Sequence, residues 1–113
     1  MDKIISYRNA IKKIITRYGT GSPPEGFEEY ESQIVFDDEN GHFYLMDIGW
    51  SKMQRIHGCV LHIDLKDDKV WIQQDWTDSG VADELVAEGI KKEDIVLAFH
   101  APYKRPFTGY AVA

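Results

Sequence analysis

The stretch RIHGCVLHIDLKDDKVWIQQDW, residues 55–76, alternates apolar and polar side chains on either side of an Asp-Asp pair. A period of two marks half-buried strands, because successive side chains of a pleated strand point to opposite faces. With Asp67 and Asp68 as a two-residue loop, Leu65 faces Val70, Ile63 faces Ile72, Leu61 faces Gln74 and Cys59 faces Trp76, and this set forms the core face. On the reverse face Asp64 lies across from Trp71, His62 from Gln73 and Val60 from Asp75. A loop of this kind needs positive φ at both central residues, and a slip of one residue would exchange the two faces. The register adopted is the one that gathers the aliphatics.

The rest of the chain covers this hairpin. Residues 2–18 read as an amphipathic helix, with Asp2 as N-cap and Gly19 in the stop position. Ile4, Tyr7, Ile11, Ile14, Ile15 and Tyr18 form its apolar stripe, and Lys3, Arg8, Lys12, Lys13 and Arg17 its polar side. GTGSPPEGFEE, residues 19–29, lacks periodicity and reads as a loop; no helix follows its glycines, so it is no phosphate cradle. A strand follows from Tyr30, with Ile34 and Phe36 alternating against Gln33, Val35 and Asp37. DDENG, residues 37–41, is a turn signal. In the next strand, residues 42–50, Phe43, Leu45 and Asp47 share one face, and Tyr44, Met46 and Ile48 the other, which carries the stronger apolar pattern. Gly49-Trp50-Ser51 reads as a link into the hairpin. Residues 79–88 read as a second helix, capped by Thr77 or Ser79 and ended by Gly89, with Asp83, Glu84 and Glu88 facing solvent. Asp94 starts a short helical turn or strand through IVLAF, residues 95–99. The uncharged end, Thr108 to Ala113, is expected to be tied down as an edge strand or across the protein or a partner.

Short links between consecutive strands imply antiparallel pairing. The expected architecture is a single α+β domain over residues 1–113: a four-stranded antiparallel meander, an N-terminal helix and a second helix on one face, and a structured C-terminal tail. The formal charge of −6 opposes autonomous binding to nucleic acid, which draws on Lys and Arg. No apolar run approaches the roughly 20 residues that span a bilayer, and charges interrupt the N-terminal isoleucines, so a cytoplasmic protein is expected. Cys59 is the only cysteine, which excludes an internal disulfide and a multi-thiolate zinc site; its strand position reads as a small buried hydrophobe.

Two groups of residues have chemistry to offer. His62 and Asp64 share a strand face, and Asp75 falls on that face of the neighbouring strand, a geometry open to a metal or an acid-base pair but equally ordinary on the wet face of a sheet. No Walker loop, nucleophile elbow or dinucleotide fingerprint occurs, so no catalytic residue, metal ligand or cofactor is assigned. The second group is the tail, where His100, Lys104 and Arg105 stand among Pro102, Tyr103, Pro106 and Phe107. Together with His62, Asp64, Trp71, Gln73 and Asp75 on the reverse face of the hairpin, these residues have the composition of a partner-binding surface. Arg8, Lys12, Lys13, Lys104 and Arg105 would be the contacts if nucleic acid were bound directly; the helix cations read equally as the solvated side of a surface helix.

Several runs in order then resemble the XisI-like proteins, the fdxN element excision controlling factors found mainly in cyanobacteria. They are Gly49-Trp50, His57-Gly58-Cys59, Trp71-Ile72-Gln73, Asp75 with Thr77, residues 95–99, and Lys104-Arg105 through Tyr110 to Ala113. The likeness covers essentially the whole chain. Trp76, Asp78 and Lys91 depart from the family pattern, which commonly has a small residue, Glu and Pro there. The resemblance implies a role in controlling excision of a DNA element alongside an XisH-like companion protein; the acidic balance favours acting through that protein partner, with DNA contacted indirectly. A homo-oligomer is a further expectation. It supplies no catalytic residues.

Overall fold

The computed structural model describes residues 3–20 and 29–113. Asp2 and most of the Gly-Pro-rich loop lie outside the described residues. The order is α1 (Lys3–Gly19), β1 (Tyr30–Asp37), β2 (His42–Ser51), β3 (Gln54–Lys66), β4 (Lys69–Asp75), α2 (Ala82–Ala87) and β5 (Ile95–Leu97), with 3-10 turns at Lys92–Asp94 and Pro102–Phe107. The sheet has five strands in the order β1-β2-β3-β4-β5. The first four form the expected antiparallel meander, but β5 pairs parallel to β4, Val70 with Ile95 through Ile72 with Leu97. The sheet is therefore mixed and five-stranded, not a four-stranded antiparallel one. A parallel neighbour needs a crossover, and α2 supplies it.

α1 lies across β1, β2 and β3 and meets α2 beside it. Tyr7, Ala10, Ile11, Ile14 and Ile15 are buried against Phe43, Leu45, Leu61, Ile63, Val70 and Ile72. That pairing corrects the reading of β2. Phe43 and Leu45 are its core residues, because they stand opposite Ile63 and Leu61 on β3; Tyr44, Met46 and Ile48 are not among the fully buried ones. β2 also runs through Gly49-Trp50-Ser51 without a break, and the two-residue turn at Lys52 and Met53 returns it as β3.

The β3–β4 turn forms at Asp67 and Asp68, whose φ values of 53° and 61° meet the type I′ requirement. Leu65↔Val70, Asp64↔Trp71 and Ile63↔Ile72 pair as expected. A bulge between His62 and Ile63 then shifts the ladder, so His62 faces Gln74 and Leu61 faces Asp75. A second irregularity, between Leu45 and Met46 on the β2 side, makes Cys59 the partner of Met46. Each inserted residue reverses the faces beyond it. Val60 accordingly packs on the core, while Cys59 joins Asp47, Gln74 and Trp76 around a surface depression and is only partly buried. Burial pushes its thiol pKa up against a smaller lowering from the Leu61 backbone, and so favours the less nucleophilic, protonated form.

Asp75 also departs from expectation. Its oxygens accept the Val81 N–H at 2.7 Å, the Thr77 N–H at 2.9 Å and the Thr77 hydroxyl at 2.6 Å. Thr77 Oγ1 in turn accepts the Gly80 N–H at 3.1 Å. The start of α2 is thus held from the end of β4, with no cap from the helix's own N-terminal residue, and the helix is shorter than the pattern over 79–88 implies. Gly89, at φ 104°, ends it as expected.

Candidate interaction surface on the outer face of the sheet

With both helices on one side, the reverse of the sheet carries the polar residues of the central strands. At its centre Asp64 is mostly enclosed, its side chain 15% exposed. His42, across from it on β2, places Nδ1 at 2.7 Å from Oδ1, and His62, two residues back on β3, places Nε2 at 2.8 Å from the same oxygen. Gln73 donates to Oδ2 at 3.3 Å. A carboxylate can only accept, so both imidazoles donate to it. The hydrogen bond that His42 donates to Asp64 raises the His42 pKa above its usual value, against an opposing effect of burial. Tyr44 lies along the His62 ring with centroids 4.3 Å apart.

The surface continues over β4 to the tail. Trp71 donates its indole N–H to the Lys66 carbonyl at 3.1 Å and lies between two cations, Lys66 at 4.8 Å and Arg105 at 5.9 Å from its ring. Arg105 donates to the carbonyls of His100 at 3.1 Å, Ala98 at 3.3 Å and Val112 at 3.5 Å, so one guanidinium fastens three segments of the tail. The chain end is held beside β5 by the Ala111 N–H, which donates to the Ile95 carbonyl at 2.8 Å, as its apolar composition demands. Phe99 stacks near His100 and lines a depression with Gln73, Gln74, Asp75 and Trp76. Trp76, Tyr103 and Phe107 are 75%, 73% and 87% exposed.

The structure therefore gathers His62, Asp64, Trp71, Gln73 and Arg105 as the sequence implied, with His100, Tyr103, Lys104 and Phe107 on the adjoining tail. Asp75 does not join Asp64 and His62; its oxygens are occupied at the start of the crossover. His42 and Tyr44 belong to the cluster but are not legible in the sequence, because the face of β2 that carries them has the stronger apolar pattern. The register from Asp37↔His42 around the DDENG turn is the signal that finds them.

The cations of α1 point elsewhere. Lys12 and Arg8 meet Asp38 at 2.8 and 3.6 Å, Lys13 meets Glu88 at 2.9 Å, and Arg17 meets Glu84 at 3.1 Å and Glu88 at 3.6 Å. Lys3 reaches Asp94 at 3.2 Å. Of the acidic residues expected to face solvent, Glu84 and Glu88 are the partners of this helix, while Asp83 accepts from the Tyr110 hydroxyl at 3.0 Å. No described helix is long and apolar enough to cross a membrane.

These features define a small α+β protein whose mixed sheet is covered by helices on one face and carries a histidine, carboxylate and aromatic cluster on the other. The chain belongs to the XisI protein family, whose model matches residues 1–112. Solved structures agree. A XisI-like protein from Anabaena variabilis is 41% identical, with 97% of this chain and 99% of that one covered and a TM-score of 0.89. The fdxN element excision controlling factor XisI of the same organism is 31% identical, with 99% and 100% covered and a TM-score of 0.84. Among curated proteins none matches. Family and overall shape thus accord with the resemblance read from the sequence.

Proposed function

We propose that this chain is an accessory factor controlling excision of a DNA element, and that it works by binding an XisH-like protein rather than by catalysis. Membership of the XisI family and the likeness to a protein described as an excision controlling factor support the role. The observation that carries the mode of action is the contiguous surface running from His62 and Asp64 through Gln73 and Trp71 to Arg105, beside Tyr103 and Phe107, which stand far out of the protein. Exposed aromatics around a partly enclosed polar centre are the composition of a contact surface. DNA is reached through the partner in this reading. The cations of α1 that would grip a phosphate backbone already face carboxylates, and releasing them would forfeit those ion pairs.

Co-expression with an XisH-like protein followed by size-exclusion chromatography tests the proposal. Co-elution supports it, and separate elution of the two folded proteins refutes it. The same column reads whether the chain alone is a homo-oligomer. A mobility shift that appears at low salt and fades as salt rises would instead favour direct DNA binding.

A further inference from the structure

We propose that His42 Nδ1, His62 Nε2 and Asp64 Oδ1 form a binding site for a single divalent cation of the Zn2+ class on the outer face of the sheet. The three donor atoms lie within 4.8 Å of one another. They come from two neighbouring strands, so the sheet ladder itself sets their spacing: His42 is the register partner of Asp64, and His62 shares Asp64's face two residues along. Two imidazoles and one carboxylate are a donor set suited to zinc and its neighbours rather than to magnesium or calcium, which prefer oxygen alone.

Donors sharing one zinc at bonds of about 2.0–2.2 Å stand roughly 3.3 Å apart in a tetrahedral arrangement. The separations of 2.7 and 2.8 Å from each imidazole to Asp64 must therefore open by about half an ångström, and the two imidazole nitrogens, within 4.8 Å of one another, must come to the same spacing, a change that falls on the side-chain torsions. In the metal-free arrangement each facing nitrogen carries a proton toward Asp64. Binding requires that proton to leave. A neutral imidazole moves it to its other nitrogen, and a protonated one releases one proton to solvent, so the charge balance closes without any further reactant.

Two outer contacts prepare the ligands. Gln73 holds the Asp64 oxygen that faces away from the histidines, and the Tyr44 ring fixes the plane of His62. An entry path exists because the His42 side chain is 42% exposed. Three protein ligands leave a fourth position for water or for a donor from another molecule. The site does not depend on the partner proposal, since it is built wholly from this chain. It also differs from the grouping of His62 and Asp64 with Asp75, whose oxygens are taken up at the crossover.

Calorimetric titration of the full chain with ZnCl2, paralleled by CoCl2 and its visible absorption, tests the inference. The expected result is one ion per chain and a cobalt spectrum of nitrogen and oxygen ligation. His62→Ala and His42→Ala should each weaken binding at least about tenfold, while His57→Ala and His100→Ala leave it unchanged. Should a ligand variant fail to fold, long-range 1H–15N spectra of the wild-type imidazoles decide. The His42 and His62 signals move on zinc addition if the site is real. Absence of binding, binding that survives His62→Ala, or shifts confined to His57 and His100 would overturn it.

Discussion

Asp75→Ala should cost more than any other single carboxylate removal, although Asp75 lies on the surface side of the hairpin in a sequence-only register. Its side chain accepts three hydrogen bonds, two of them from backbone N–H groups, and one of those belongs to Val81, which is fully buried. Water can replace the carboxylate at Thr77 more easily than at Val81. Counting one charge-assisted bond at its full worth and the Thr77 pair at a fraction gives a loss of about 2–3 kcal/mol. For a domain of this size that lowers Tm by roughly 8–12 °C. Asp75→Asn keeps one acceptor oxygen and should lose about half as much. Thermal and urea unfolding followed by circular dichroism measure both, and unchanged partner binding by the folded variants would separate a structural role from a contact role. A loss below about 0.5 kcal/mol for Asp75→Ala, within the range of ordinary surface substitutions, would refute the reasoning.

Tyr7 donates to the buried Asp94 at 2.5 Å, so Tyr7→Phe should destabilise by about 1–3 kcal/mol in urea unfolding. Burial pushes the Asp94 carboxyl up, but the bonds from Tyr7 and Lys3 outweigh it and its pKa falls below 3.8; this stabilisation is complete above that value and lost as pH falls through the folded pKa, so Asp94→Asn should flatten the acid limb of stability against pH. His42 has the opposite sign. Its pKa is raised from 6.5 by the Asp64 hydrogen bond, so the pairing stabilises fully below 6.5 and fades as pH rises through the raised value; NMR titration should place the His42 midpoint above 6.5 and Asp64→Asn should lower it. Asp67 and Asp68 both take positive φ, a conformation that Asn-Gly adopts with less strain, so Asp67→Asn with Asp68→Gly should raise Tm by a few degrees, about 0.5–1 kcal/mol. Gly41→Ala, at φ 74° with the Leu65 carbonyl oxygen 2.5 Å from the new Cβ, should destabilise by more than about 1 kcal/mol in the same assay.

The parts of the fold readable in the sequence are those where periodicity runs unbroken. The apolar stripe of α1, the Asp67-Asp68 turn and the pairs from Leu65 to Ile63 are local patterns, and the structure repeats them. Reading fails where an extra residue enters a ladder. The bulges at His62/Ile63 and Leu45/Met46 are set by packing across strands, so Cys59, Val60 and Asp75 acquire surroundings that alternation alone cannot reveal. β5 has only three residues, too few to show a period, and a parallel partner is invisible until α2 is known to cross over. At the candidate surface, Asp64 and Trp71 are legible because they lie within the unbroken part of the hairpin; His62 and Gln73 adjoin the bulge, which removes their expected cross-strand pairing but leaves both beside Asp64. His42 is not legible, because Tyr44, Met46 and Ile48 outnumber Phe43 and Leu45 as apolar residues while the opposing strand decides which set is buried. Arg105 has the chemistry of a contact residue in the sequence; its three carbonyl partners make it the fastening of the tail as well.

Hydrogen exchange of the chain alone and in the presence of an XisH-like partner reads directly whether the outer face of the sheet is the contact surface. Added protection is expected in β3, β4 and the segment from His100 to Phe107, with α1 unchanged. Protection confined to α1 and α2, or no protection anywhere at saturating partner, would contradict it.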